Sequence, residues 1–216
     1  MTFVHTTQTL ILASSSPRRR DLLREIRAHF EVVLPTIEEA SVNGESPEDL
    51  VCRLARDKAD EVAALHPNRW VLAADTIVVI DGKILGKPAD PREAEAMLTT
   101  LSARTHVVYT GYAILRSDRP ESARVRFVTS QVHIRDMSPA EISDYVATRE
   151  PMDKAGAYAI QGIGAGIVEW VSGSYTNVVG LPLCEVARDL KELGIFDFLA
   201  EANDRAQSRD NSTTHR

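Results

Sequence analysis

Leu10-Ile-Leu-Ala-Ser-Ser-Ser-Pro-Arg-Arg-Arg-Asp-Leu-Leu23 is the stretch whose reading decides the fold. Its four apolar residues, Leu10 to Ala13, predict a short buried strand. Ser14 to Ser16 make a turn, with Ser16 placed to cap a helix. Pro17 suits that helix's first turn because its missing N–H would be unpaired there. Leu22, Leu23 and Ile26 supply the apolar face. The anomaly is charge: Arg18, Arg19 and Arg20 crowd the positive end of the helix dipole, where acids are favoured.

Three other predicted helices start as that rule requires. They begin at Ser46-Pro-Glu-Asp49, Asp90-Pro-Arg-Glu93 and Ser138-Pro-Ala-Glu141, each a capping-box pattern with Pro in first position. A strand, a serine turn and a basic helix start, in that order, suit a bound phosphate held by amides, hydroxyls and guanidinium groups. The competing reading is a solvated basic turn, with Arg19 or Arg20 paired to a nearby acid.

Outward from this stretch, strands and helices alternate. Strands are expected at Phe30 to Leu34, Trp70 to Ala74 and Thr76 to Ile80, the last running to an Asp81-Gly82 hairpin turn. Others are expected at His106 to Leu115, Val125 to Ile134, Ala155 to Ile160 and Ile167 to Val171. Helices are expected over Pro47 to Leu65, Pro91 to Leu101, Pro139 to Thr148 and Pro182 to Leu193, with a short continuation from Phe196 to Ala202. This predicts one α/β domain over residues 10–202 with a mixed sheet flanked by helices. Residues 1–9 read as an N-terminal extension and 203–216 as a disordered polar tail.

The 216 residues are 44% hydrophobic and 26% charged, enough apolar material for one sizeable core. A formal net charge of −6 argues against a nucleic-acid surface, while leaving room for a local basic pocket. Cys52 and Cys184 are the only cysteines and lack CxxC spacing, which argues against a disulfide framework or zinc site. No run approaches the ~20 apolar residues of a membrane span, and the first residues do not read as a signal peptide. The expectation is a cytoplasmic protein without membrane or nucleic-acid partners.

Several polar residues can carry chemistry, each beside a structural reading. Asp75 follows a buried strand directly, where α/β proteins place ligands, and can bind a metal or take a proton from water. It can equally be a turn-forming aspartate. Glu38 and Glu39 can add a metal ligand, although a solvated acidic loop is the commoner meaning of such a pair. Lys58 follows an Arg53–Asp57 i,i+4 pair and reads locally as a surface lysine. Lys87, pinned between Gly86 and Pro88, can present an ammonium to a phosphate or stand in solvent. Gln161 offers a donor and an acceptor that match the O4 and N3–H edge of uracil or thymine. Without a base pocket it is a structural glutamine bonded to loop backbone. Ser174 to Asn177 is a polar turn ahead of the last helix.

Taken together these motifs resemble the Maf-type nucleoside triphosphate pyrophosphatases. The resemblance rests on Leu12-Ala-Ser-Ser-Ser-Pro-Arg-Arg19, Glu45 with Arg53-Leu-Ala and Lys58-Ala, and Ala74-Asp-Thr76. It continues through Gly86-Lys-Pro88, Thr110-Gly111, Asp153-Lys-Ala-Gly156, Gln161-Gly162 and Asn177-Val-Val-Gly-Leu-Pro182. Gln161-Gly162 is similar to the branch acting on dTTP and UTP. Ala159 and Glu38 depart from the usual glycine and aspartate.

The resemblance implies an elongated α/β fold of the inosine-triphosphate-pyrophosphatase type, a divalent metal (Mg²⁺ or Mn²⁺) and, in many members, a homodimer. It implies hydrolysis to nucleoside monophosphate and pyrophosphate with Asp75 as proton acceptor, assisted by Lys58 and Lys87. Ser14, Arg18, Arg19, Thr76, Asp153 and Gln161 become substrate-binding positions, with Arg18, Thr76 and Gln161 setting base preference. Glu39 and Asp75 become the metal ligands. The rival reading is a non-catalytic nucleotide-binding regulator of cell division. Asp75, Lys58 and Lys87 together favour the enzyme, because a sensor needs cations more than a water-activating carboxylate.

Overall fold

The computed structural model describes residues 9–37 and 44–200. Glu38, Glu39, the N-terminal extension before Thr9 and the polar tail lie outside the described residues. The expected mixed sheet is present, with strand order β2-β1-β3-β5-β6-β7 and β4 paired to β3. The strands are β1 Leu10–Ala13, β2 Phe30–Val33, β3 Val71–Ile80, β4 Lys83–Leu85, β5 Thr105–Leu115, β6 Arg124–Ile134 and β7 Val168–Gly173. β2, β1 and β3 run parallel, and the pairs from β3 through β7 are antiparallel.

Helices α1 Pro17–Glu25, α2 Pro47–Leu65, α3 Pro91–Leu101, α4 Pro139–Ala147, α5 Tyr175–Val179 and α6 Leu183–Glu192 cover both faces. Among the described helices α2 lies alone on one face: Ala55, Ala59 and Val62 pack on Val71 and Ala73, and Leu50, Val51 and Leu54 on Ile77 and Val79. The opposite face carries two separate cores. One packs α1 and α6 on Leu72, Ala74, Tyr112 and Ile114; the other packs α3 and α4 on Val78, Ile80, Val108 and Val132.

Between these cores runs a polar seam. Successive strand residues point to opposite faces, so Asp75 looks toward α2 and Thr76 toward α1 and α5. Across the ladder they pair with Gly111 and Thr110. The seam also coincides with an incomplete edge. β1 pairs with β3 at Val71 to Ala73, and β4 pairs with it at Val78 to Ile80. Residues 74–77 therefore have no strand neighbour on that edge among the described residues.

Three sequence expectations need correction. Asp75 is not at a strand end, because β3 continues through it in unbroken register with β5. The strand that ends there is β1. Ala155 to Ile160 is not a strand: Gly156 and Ala157 have φ of 69° and 57°, and a 3₁₀ turn occupies Ala155–Ala157. Left-handed backbone at two successive residues cannot continue an extended run. Ser16 stands at the cap position of α1, but its side chain makes no capping hydrogen bond. Its own N–H donates instead to Ser14 Oγ at 3.2 Å. Ser46, Asp90 and Ser138 do cap, accepting from the amides of Asp49, Glu93 and Glu141.

Candidate active site

The unpaired edge of β3 opens into a cleft of about 470 Å³. Ser14, Arg18, Arg19, Lys58, Asp75, Thr76, Lys87, Asp153 and Gln161 all line it, so every sequence-predicted site residue among the described residues converges there. Among the described residues, Arg18, Arg19, Lys58, Lys87 and Lys154 outnumber the two lining carboxylates, Asp75 and Asp153. On a chain of net charge −6 this is a local cationic cavity suited to a polyanion.

Lys58 is not the surface lysine that its neighbours suggest. It is 5% exposed, and its Nζ lies 2.6 Å from Asp75 Oδ1, itself 6% exposed as a residue. The signal was present in α2, since Leu54, Lys58 and Val62 share one stripe four residues apart. Gly111 makes the approach possible. A Cβ there would stand 2.3 Å from the Val51 carbonyl oxygen, so α2 rests directly on the strand beside Asp75. Two helical turns beyond Val51 on the same face comes Lys58. Asp75 Oδ2 has no hydrogen-bond partner among the described residues.

On the other side of β3, Arg19 leaves the first turn of α1 and spans the seam. It donates from Nε to Gly180 O at 2.7 Å, from Nη1 to Ser14 Oγ at 3.2 Å and from Nη2 to Thr76 Oγ1 at 3.1 Å. Gly180 has φ of 122°, which a side-chain-bearing residue rarely adopts, and this conformation ends α5. Arg18 pairs with Asp153 at 3.2 Å, and Lys154 Nζ sits 2.6 Å from the same carboxylate. Burial raises the Asp153 pKa, but the two cations outweigh it and hold the carboxyl below its ordinary value.

Loop contacts place the remaining groups. Gly156 N donates to Gly86 O at 3.0 Å, which ties the Asp153-Lys-Ala-Gly156 turn to the Lys87 loop. Lys87 is exposed and has no partner among the described residues. The Gln161 amide makes no hydrogen bond among the described residues, so it is not the structural glutamine bonded to loop backbone. A residue that sequence reasoning missed holds its loop. Glu150 accepts from Ile163 N, Gly164 N and the Tyr145 hydroxyl at 3.0, 2.8 and 2.9 Å. Burial raises the Glu150 pKa, yet these donors and Lys154 hold it low. No local pattern marks Glu150, because its partners are supplied by a turn and a helix that meet only in the fold.

Comparison with known proteins identifies the family. The profile of the Maf-like protein family matches residues 9–193. A dTTP/UTP pyrophosphatase of Syntrophus aciditrophicus is 46% identical over 204 residues, covering 94% of this chain and 99% of its own. One from Geobacter metallireducens is 51% identical over 185 residues, covering 86% and 96%. Among solved structures, a HAM1 protein from Coxiella burnetii superposes with a TM-score of 0.49 at 17% identity, covering 85% of this chain and 98% of its own. On the profile match and the identity to these relatives, the chain belongs to the Maf-like protein family.

Proposed function

We propose that the protein is a nucleoside triphosphate pyrophosphatase that hydrolyses dTTP and UTP to the monophosphate and pyrophosphate, as the names of its relatives indicate. The observation that carries this reading is the buried Lys58–Asp75 pair set at the open edge of β3, inside a cleft where cations outnumber carboxylates. A cationic pocket alone would bind a nucleotide. A carboxylate held by one oxygen, with the other lacking a partner among the described residues, is what water activation adds.

Each group then has a task. Arg19, Lys58 and Lys87 offset triphosphate charge, with Ser14 and the first-turn amides of α1 completing the anion site. Lys58 fixes Asp75 Oδ1, so Oδ2 is the oxygen that orients the attacking water and accepts its proton. Gln161, Arg18 and Thr76 set the base preference, and Asp153 holds Arg18 in place.

A divalent cation fits this donor set only together with substrate phosphates, because no group of three or more His, Cys, Asp or Glu forms a cage among the described residues. Asp75, and Glu39 from outside the described residues, would hold it. Mg²⁺ or Mn²⁺ would there neutralise phosphate charge and polarise the scissile bond. The same reading includes a homodimer and a cytoplasmic location, both carried by family resemblance. Among the described residues no helix is long and apolar enough to cross a membrane.

The test is a panel of nucleoside triphosphates scored by product chromatography. UTP and dTTP should yield monophosphate and pyrophosphate. Diphosphate with orthophosphate as primary products would overturn the bond assignment. Nucleotide binding without turnover would favour the regulator.

A further inference from the structure

Thr110 has no part in the roles assigned above. It is fully buried at the centre of β5 and does not line the cleft. Its hydroxyl donates to the Asn177 carbonyl oxygen at 3.0 Å. A threonine hydroxyl carries one proton. With that proton on Asn177, the 2.9 Å contact between Thr110 and Thr76 must run from Thr76 to Thr110. Thr76 is then an acceptor toward Arg19 Nη2 at 3.1 Å. Its other potential acceptor, Gly180 O, lies at 3.5 Å, too long to compete. The order is enforced from both ends, because a carbonyl only accepts and a guanidinium only donates.

A second arm starts from the same atom. Asn177 O also accepts from Gly180 N at 3.0 Å, and Gly180 O accepts from Arg19 Nε at 2.7 Å. The Asn177 side chain, fully buried, is tied by Nδ2 to Val108 O and Ser130 Oγ. The Asn177 carbonyl of α5 thus bonds to Gly180 and, through Thr110, to Thr76, the residues that supply two of the acceptors aiming one guanidinium.

We infer that Thr110 is a positioning residue for Arg19, acting through the Thr76 hydroxyl. That the guanidinium meets substrate phosphate rests on the proposed function; the order of the hydrogen bonds does not.

The experiment pairs a ligand-free readout with a cycle of variants. In ¹⁵N spectra of the free protein, Thr110→Val should move the Arg19 Nε–H resonance and speed its exchange with water, and Thr110→Ser should restore both. By calorimetry, Thr110→Val should weaken UTP binding about tenfold, on the order of one hydrogen bond to a charged group. In an Arg19→Ala background the same substitution should change binding by less than about twofold, because coupled residues are not additive. An unmoved Nε–H resonance, or full additivity in the double variant, overturns the inference. Absence of UTP binding in the unaltered protein would refute the proposed function instead, and the Nε–H comparison would still decide the role of Thr110.

Discussion

Lys58 Nζ lies 2.6 Å from Asp75 Oδ1, joining the inner stripe of α2 to the middle of β3. The pair sits in the seam between two apolar clusters beneath α2, with Ala55 and Ala59 on one side and Leu50 and Leu54 on the other. A buried pair of opposite charges is costly to break from one side, since the remaining charge stays out of water.

Asp75→Asn keeps the shape and removes the negative charge. Turnover should collapse by at least ~100-fold, in line with the loss of a general base. Stability should drop by up to roughly 3 kcal/mol, because a buried ammonium loses one anionic partner. Nucleotide binding should survive, and UTP should raise the melting temperature of the variant more than that of the parent, its phosphates replacing the lost charge. Pyrophosphate release under saturating UTP, with melts on the same sample, reads both effects. Near-normal turnover in a folded variant would remove Asp75 from the chemistry.

Gly111→Ala tests how the pair is brought together. The added methyl would stand 2.3 Å from the Val51 carbonyl oxygen, so α2 has to move. Overpacking of this kind should cost roughly 2 kcal/mol. Turnover should decline as well, because Lys58 rides on the displaced helix. Urea midpoints and initial rates provide the comparison, and parent-like values for both would show that α2 gives way without moving Lys58.

Base choice is expected to follow Gln161. Gln161→Glu removes the amide donor to O4 while keeping acceptors for N3–H. Use of UTP and dTTP should worsen, with less effect on triphosphates lacking that edge. Stability should stay within ~0.5 kcal/mol, since this side chain makes no hydrogen bond among the described residues. An equal loss on every substrate would remove Gln161 from base selection.

His106 gives the protein a pH dependence separate from catalysis. It is 2% exposed, its Nε2 lies 2.7 Å from the Tyr158 hydroxyl, and its buried Nδ1 has no partner among the described residues. Burial, with a smaller contribution from His133, lowers its pKa from 6.5 to about 4. Between those values the unfolded chain takes up a proton that the folded chain refuses. The stability is therefore complete above 6.5 and is lost as pH falls toward 4, by roughly 3 kcal/mol in all. His106→Gln removes the titration, so its urea midpoint should vary less between about pH 6.5 and 5 than that of the parent. Parallel profiles would show that His106 does not titrate as assigned.

At Arg19 the local helix-dipole argument and the tertiary contacts imply opposite energetic signs. Three arginines at a helix N-terminus are unfavourable taken alone, which suggests that Arg19→Glu would leave stability unchanged or raise it. The folded chain has Arg19 donating to Gly180, Ser14 and Thr76 across the seam. Those bonds should outweigh a dipole term of at most about 1 kcal/mol, so Arg19→Glu is expected to cost stability as well as affinity, and ligand-free melts with UTP titrations on the same sample check both.

What the sequence determined by itself is what short-range physics decides. Capping at Ser46, Asp90 and Ser138 joins groups three residues apart, and the hairpin at Asp81-Gly82 joins neighbouring strands. Strand β1 followed by α1 was legible for the same reason, as were the residue types that a nucleotide needs. The tertiary structure alone decided which of them meet. Lys58 reaches Asp75 across 17 positions, Thr110 reaches Asn177 across 67, and Arg19 reaches Gly180 across 161. Such contacts depend on register and on how closely α2 can approach Gly111, quantities set by packing of the whole chain. A lysine stripe position, a mid-strand aspartate and a buried threonine carry no distinguishing local energy. They acquire their roles only when β1 stops short of β3 and leaves an edge open between two cores.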